Sequence, residues 1–196
     1  MLGRLRALTT RRTTRLLVAT FAVTLTPALA FAYDGPPEDY ARYEAQTTCV
    51  KRAQPGTREL ADWINRRFDG GNAVASVRAC SGGASEHKDG RAIDWSMDAT
   101  RADDRAEVEK FLRKLFKADA SGEDDARARR MGVMYVIWND HMYASYRDEF
   151  APSDYLSSSC KRRRDCSKTL RHRDHVHISL SKAGGRAETS WYVARG

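Results

Sequence analysis

The segment SEHKDGRAIDWSM, residues 85–97, decides the fold because it joins a glycine-containing turn to an alternating strand. In an extended chain, successive side chains point to opposite faces. Ile93 and Trp95 therefore share one face, and Asp94 lies on the other. The segment predicts a strand with one buried face that follows a loop over residues 80–90 and turns a carboxylate away from the core.

Apolar patterns on both sides of this segment predict the remaining elements. Apolar residues at every third or fourth position indicate a helix, and apolar residues at every second position indicate a strand. Because strands and helices do not alternate strictly, we expect a single α+β domain with a mostly antiparallel central sheet flanked by helices. Three helices are predicted: one that begins at an N-cap Thr57, one over residues 108–116 and one over residues 126–131. The predicted strands cover residues 73–79, 92–97, 133–138, 143–150, 175–180 and 189–193.

The first 32 residues predict a secretory signal that is removed from the mature protein. Five arginines precede the apolar run at residues 16–25, and the small residues that follow offer cleavage after Ala30 or Ala32. Residues 33–48 are polar and contain prolines, so we expect a linker or N-terminal arm before one domain over residues 49–196. The protein is expected to be secreted, extracellular or associated with the cell wall.

The charge distribution argues against nucleic acid as a partner. The chain has 34 basic and 26 acidic residues, and five of the basic ones but no acidic one precede position 33. The remainder has 29 basic against 26 acidic residues, a net charge of +3, so the basic character belongs mostly to the targeting segment. Threonines and a proline interrupt that segment, which makes an uncleaved membrane anchor the weaker alternative. We expect a monomer without stable membrane insertion.

Four cysteines remain in the predicted mature chain: Cys49, Cys80, Cys160 and Cys166. An even number in an exported protein indicates two disulfides. Three pairings are available, and proximity favours Cys49 with Cys80 and Cys160 with Cys166. A cysteine-rich zinc site is the competing interpretation, but neither a CxxC spacing nor a neighbouring ligand histidine accompanies these residues.

A second segment, DHVHIS at residues 174–179, carries the side chains that complete a metal site with His87 and Asp94. Six residues, one of them a glycine, separate His87 from Asp94, so the turn can bring both onto one ion. His175 and His177 are two apart in a predicted strand and share a face. A hydrolytic zinc ion takes three ligands of the His, Asp or Glu type and keeps one position open.

These two motifs carry a family resemblance. SEHKDGRAID resembles the SxHxxGxAxD pattern of the zinc D-Ala-D-Ala carboxypeptidases, and DHVH resembles the HxH element of the wider group with lysostaphin and hedgehog. The chain is more similar still to exported actinobacterial proteins with SEHKxGRAxDW and DHxH motifs, from Thr47 to Trp191. The resemblance implies one zinc ion per chain, held by His87, Asp94 and His177.

The resemblance offers two residues for the general base. In members with an ExxH element, the base stands three residues before the last ligand, where this chain has Asp174. In HxH members the first histidine acts, which is His175; we expect a shared role in which His175 leads. Arg78 resembles the arginine that holds substrate and the developing oxyanion, although a structural salt bridge explains it equally well. Ser85 matches the motif serine and is a candidate for substrate binding.

Other polar groups receive less weight. Residues 139–141 suggest a metal nuclease, but a polar turn after a strand explains them better. The basic run at residues 161–164 lies in a long loop and suits acidic wall polymers or, more simply, solvent. Arg91 is a weak candidate for substrate binding because it stands inside the first motif. His172 is expected to be exposed.

Together the motifs and the predicted export signal favour a secreted zinc metallopeptidase. Its expected substrates are the stem peptides or cross-links of peptidoglycan, with bonds at or near a D-amino acid. Carboxypeptidase and endopeptidase action, the bond that is cut, and the native metal stay open. The alternative is a non-catalytic zinc-containing module that binds the cell wall or a protein partner.

Overall fold

A six-stranded antiparallel sheet forms the centre of the molecule, with strand order β1-β2-β6-β3-β4-β5. The structure is a computed structural model that describes residues 35–195, so the predicted signal over residues 1–32 lies outside the described residues. The strands are β1 Ala73–Val74, β2 Ala92–Trp95, β3 Val133–Trp138, β4 His141–Ala144, β5 Pro152–Asp154 and β6 Val176–Leu180. The helices are α1 Pro55–Arg67, α2 Ala102–Phe116, α3 Ala126–Arg130, α4 Lys182–Gly185 and α5 Ser190–Val193; short 3-10 turns lie at Asp148–Phe150, Arg163–Asp165 and Thr169–Arg171. The predicted α+β class is confirmed.

Apolar side chains of β2 and β6 build one face of the sheet. Trp95 is fully buried and packs edge-on against Phe111 of α2, with ring centroids 5.6 Å apart. Leu60 and Ile64 of α1 belong to the same cluster, which also includes Ile178 of β6. Because α1 and α2 are amphipathic, burying their apolar sides against this face supplies the main hydrophobic core.

The opposite face of the sheet carries the polar motif residues. Strand pairing places His177 directly opposite Asp94 on β2 and Ile137 on β3. Residues that pair directly across antiparallel strands share a face, so these side chains lie together. A smaller apolar cluster, which includes Met134 and Tyr135, packs on this same side of β3.

The start of helix α1 differs from the prediction. Helix α1 begins at Pro55 after an N-cap Gln54, and Thr57 is buried within its first turn. Proline is well suited to the first helical position because its missing N–H has no intrahelical acceptor there. The predicted N-cap at Thr57 is therefore wrong by one turn.

The predicted edge strand at residues 189–193 is also wrong. It forms helix α5, in which the Val193 amide donates to the carbonyl of Thr189 at 3.2 Å. Trp191 and Tyr192 are consecutive and both buried, whereas a half-exposed edge strand would bury alternate residues. Trp191 packs edge-on against Trp63 of α1 with ring centroids 6.0 Å apart, which a helical turn permits.

The segment before Cys49 has no helix or strand among its described residues, but it is bonded to the domain. The Tyr40 hydroxyl donates to Asp125, and Ser190 donates through its hydroxyl to Glu38, both at 2.9 Å. No helix within residues 35–195 is long and apolar enough to span a bilayer.

Disulfides join Cys49 to Cys80 and Cys160 to Cys166, the pairing that proximity favours. The described chain has no free cysteine. Disulfides of this kind persist in oxidising, extracellular environments.

Candidate metal centre

A hydrogen-bonded turn positions His87. The Gly90 amide donates to the carbonyl of His87 at 3.1 Å, and the Arg91 amide donates to the carbonyl of Glu86 at 3.1 Å. Gly90 has a φ of +70°, and a Cβ atom there would lie 2.8 Å from the carbonyl oxygen of Arg52. Only glycine fits both conditions, so the turn depends on Gly90.

Arg91 anchors this turn, and within residues 35–195 no hydrogen bond or ion pair joins its guanidinium to His87, Asp94 or His177. Its guanidinium is buried, pairs with Asp89 at 3.1 Å, and donates to the carbonyl oxygens of Leu180, at 2.6 Å, and Glu44. The weak substrate-binding role considered for Arg91 is therefore wrong; the residue ties the turn to β6 and to the N-terminal arm.

His87, Asp94 and His177 form a triangle of ligand atoms. Nε2 of His87 lies 3.2 Å from Oδ1 of Asp94 and 3.3 Å from Nδ1 of His177, and this Nδ1 lies 3.2 Å from the same Oδ1. Ligands about 2.0–2.1 Å from a tetrahedral zinc ion lie roughly 3.3–3.4 Å from one another. The triangle therefore has the dimensions of a metal site, and its three members are those that the sequence predicts.

Neighbouring groups fix which ring nitrogens face the triangle. Nδ1 of His87 lies 3.1 Å from the carbonyl oxygen of Ser76. A carbonyl only accepts, so this nitrogen donates and Nε2 is left with a lone pair directed into the triangle. Nε2 of His177 faces the Ser179 hydroxyl at 2.9 Å, so its other ring nitrogen, Nδ1, is the one directed into the triangle. One nitrogen from each imidazole and one carboxylate oxygen thus converge on one point, where a cation can bind all three.

Burial and charge keep the ligands in the forms that bind metal. Burial lowers the pKa of His177, which favours the neutral imidazole. Burial alone would raise the pKa of Asp94, but its contacts with His177 and His87 outweigh that effect and hold the pKa below its usual range. Burial thus favours the neutral imidazole of His177, and Asp94 is a carboxylate at neutral pH, which are the forms suited to a divalent ion.

Comparison with known proteins identifies a family. The family model described as VldE, C-terminal domain matches residues 49–160, more than half of the chain. The chain belongs to this family. No curated protein and no solved structure matched the chain.

The VldE C-terminal domain match covers two of the three residues of the triangle. His87 and Asp94 lie within residues 49–160, whereas His177 lies beyond them on β6. Pairing of β6 with β2 therefore brings a residue outside the matched segment onto two ligands inside it.

A second histidine of the DHVH segment lies beside the triangle. Nε2 of His175 is 3.7 Å from Oδ1 of Asp94, and its Nδ1 is 2.7 Å from Oδ1 of Asp174. The second oxygen of Asp174 accepts from the Thr169 hydroxyl at 2.5 Å. Both oxygens of Asp174 are thus occupied by neighbours, whereas His175 presents a ring nitrogen toward the ligands.

The structure adds His172, which was expected to be exposed; that expectation is wrong. Its ring lies 4.7 Å from the ring of His175 and 5.6 Å from that of His177, and its backbone has a φ of 49°. Burial, followed by the two neighbouring histidines, lowers its pKa from 6.5 to about 3. The signal that indicates it is the spacing HxxHxH, but the turn that directs the ring inward is not visible in the sequence.

The other predicted residues surround the centre at different distances. Arg78 extends an exposed guanidinium whose NH2 lies 3.6 Å from Oδ2 of Asp94. Ser85 stands in the turn before His87, where its amide donates to Gln46 at 2.9 Å; within residues 35–195, no hydrogen bond joins Ser85 to the triangle. Residues 139–140 form the β3–β4 turn and His141 begins β4, in agreement with the preferred interpretation of a polar turn.

An aromatic cavity of about 520 Å³ lies next to the metal centre. Tyr135 forms one wall, stacks on His177 with ring centroids 5.5 Å apart, and donates its hydroxyl to Glu86 at 2.7 Å. Tyr155 forms another wall and contacts His172 with ring centroids 5.1 Å apart. The cavity thus joins the centre through two tyrosines that contact its histidines.

Proposed function

We propose that the protein is a secreted zinc-dependent peptidase that hydrolyses peptide bonds in the stem peptides or cross-links of peptidoglycan, at or near a D-amino acid. The observation that carries the proposal is the ligand triangle of His87, Asp94 and His177, with His175 beside it. The predicted signal peptide and the two disulfides support an extracellular site of action.

The donor set fits zinc in number, type and spacing. Two imidazole nitrogens and one carboxylate oxygen are typical of hydrolytic zinc sites. When bound, zinc would polarise the scissile carbonyl and make water a stronger acid. Asp94 is the most exposed ligand, with 29 % of its side chain accessible, so substrate can approach from its side.

His175 is the residue best placed to move the proton. Its Nδ1 is held by Asp174, which fixes the ring so that Nε2 faces the ligands. A histidine held in this way takes a proton from water and returns it to the leaving amine. The geometry therefore favours His175 as general base and Asp174 as the group that orients it, since neither oxygen of Asp174 is free.

Arg78 and the aromatic cavity supply binding. The guanidinium of Arg78 lies near Asp94 and is exposed, so it can donate to a substrate carboxylate or to the developing oxyanion. The adjoining cavity of about 520 Å³ has room for the residues that flank the scissile bond.

The test is digestion of purified peptidoglycan by the purified protein, with products separated by chromatography. Zinc-loaded protein is expected to release D-alanine or shortened muropeptides, chelation to abolish this, and added zinc to restore it. The His87→Ala, His177→Ala double variant should be at least about a hundredfold slower. His141→Ala is the matched control, because the His141 side chain is exposed and, among the described residues, its ring hydrogen-bonds only to the carbonyl of Asn139.

Equal wall processing by the double variant and the wild type would refute the proposal. If the zinc-loaded protein binds peptidoglycan without cutting it, and His175→Ala binds as well as wild type, the non-catalytic binding module is the correct function instead.

A further inference from the structure

A small basic cleft lies on the helical side of the molecule, formed by the end of α2, the following loop, α3 and α5. Its volume is about 120 Å³. This is several times the roughly 30 Å³ that one water molecule takes in the liquid, so the cleft has room for a polyatomic group. Its lining residues include Lys114, Lys117, Asp119, Arg127, Arg130 and Trp191.

Positive charge in this cleft is only partly balanced. Asp119 is its single lining carboxylate and pairs with Arg130 at 3.3 Å. Within residues 35–195, no acidic side chain forms an ion pair with Lys114, Lys117 or Arg127. Burial lowers the pKa of Lys114, and repulsion from Arg127 lowers it further. Three cations therefore line one small space without an ion-pair partner of their own among the described residues.

Two shielded N–H donors at the cleft also lack acceptors. Nε of Arg127 and Nε1 of Trp191 are inaccessible to solvent and have no hydrogen-bond partner among the described residues. Trp191 is only 7 % exposed, so its indole donor is held in place by packing. Buried donors nearly always have partners in folded proteins, and an exception often marks a bound ion or water.

We propose that this cleft binds a phosphate group. Phosphate carries up to two negative charges and several acceptor oxygens, so it can balance Lys114 and Lys117 while it accepts from Arg127 and Trp191. The site is separate from the metal centre and does not depend on the proposed peptidase activity. The phosphate belongs either to the free ion or to a lipid headgroup, and the experiment distinguishes these sources.

The test is calorimetric titration of the full chain with potassium phosphate, compared with potassium chloride at equal ionic strength. Phosphate is expected to bind and to raise the Tm of the protein, whereas chloride is expected to do neither. Arg127→Gln should weaken phosphate binding by about tenfold or more. Trp191→Phe, which keeps the ring but removes the N–H, should weaken it severalfold. The matched control is Arg113→Gln on α2, because Arg113 is 70 % exposed and pairs with Glu109.

The proposal is overturned if Arg127→Gln binds phosphate as tightly as wild type, or if phosphate acts no differently from chloride. Zinc content and Tm without phosphate check that each variant folds. If Arg127→Gln does not fold, the double variant Lys114→Gln, Lys117→Gln takes its place with the same expected loss.

Vesicles that contain phosphatidylglycerol form the second arm. Binding to vesicles and to inorganic phosphate, both lost in Arg127→Gln, identifies a lipid headgroup as a source. Binding to inorganic phosphate alone identifies the free ion, and either result supports the site. Vesicle binding that Arg127→Gln and Arg113→Gln weaken equally indicates general surface charge and overturns it.

Discussion

The two faces of the central sheet are built from the same strands but differ in chemistry. On β2, Ile93 and Trp95 point into the apolar core, while Asp94 between them points to the metal centre. On β6, Ile178 belongs to the core and His177 to the centre. Alternation therefore places Asp94 and His177 each one residue from a core side chain, so the core holds the backbone of these two ligands in place.

This arrangement separates stability from metal binding. Apolar burial on the helical face supplies most of the folding free energy. The opposite face holds polar groups whose burial is favourable only when they are hydrogen-bonded or bound to a cation. Substitutions at neighbouring residues of one strand should therefore have different effects: one should lower the free energy of unfolding, and the other should lower the affinity for zinc.

The largest expected effect comes from the core face. Ile93→Ala should reduce the free energy of unfolding by about 2–5 kcal/mol, because Ile93 is fully buried and its truncation leaves a cavity. Zinc bound per folded chain should be unchanged. Urea denaturation of the chelated protein and metal analysis of the folded fraction measure the two quantities. If Ile93→Ala lost its zinc but kept the free energy of unfolding of the wild type, the separation of the two faces would be contradicted.

The adjacent residue should behave in the opposite way. Asp94→Asn keeps the shape of the side chain but removes the charged ligand, so zinc affinity should fall by at least about a hundredfold. The chelated variant should lose far less folding free energy than Ile93→Ala. A competitive chelator titration gives the affinity; an unchanged zinc affinity would exclude Asp94 as a ligand.

A smaller effect should come from the group behind a ligand. Ser179→Ala removes the hydroxyl that lies 2.9 Å from Nε2 of His177, so the ring loses the bond that fixes its orientation. Loss of such a partner typically costs about 10–100-fold in metal affinity or activity. The control is Ser153→Ala on β5, because the hydroxyl of Ser153 donates to the carbonyl of Met142 on β4. Equal affinities in both variants would show that Ser179 has no such role.

The sequence predicted what depends on local alternation. The apolar pattern of β2 and β6 identified both faces, and the spacing of the two motifs brought His87 and Asp94 together with one of His175 and His177. The family resemblance selected His177, and the triangle agrees with it. The predicted strand at residues 73–79 is only two residues long, since the carbonyl of Ser76 faces His87 instead of a sheet neighbour. That departure is caused by a residue eleven positions away, which a local pattern does not contain.

His172 shows the same limit for the site. Its position in a basic run predicts an exposed side chain, but two contacts from the β3–β4 turn fix the loop. The Asn139 amide donates to the carbonyl of His172 at 2.7 Å, and Arg171 forms a two-point pair with Asp140 at 2.7 and 2.9 Å. Thus the residues that resembled a nuclease element in the sequence instead hold the loop that carries His172.

The smallest expected effect tests this loop and has a defined pH dependence. Hydrogen bonding from Arg171 lowers the pKa of Asp140, so its carboxylate stabilises the folded state above its ordinary pKa of about 3.9 and loses this contribution as pH falls through the lowered value. Asp140→Asn should therefore cost about 1 kcal/mol at pH 7 and progressively less below pH ~4. Asparagine also tolerates the positive φ of 66° at this position, so the backbone is preserved.

Urea denaturation of the chelated protein at pH 7 and at pH 3 measures this difference in the free energy of unfolding. Asp154→Asn is the control, because Asp154 is exposed. If Asp140→Asn costs the same at both pH values, the ion pair does not hold the loop.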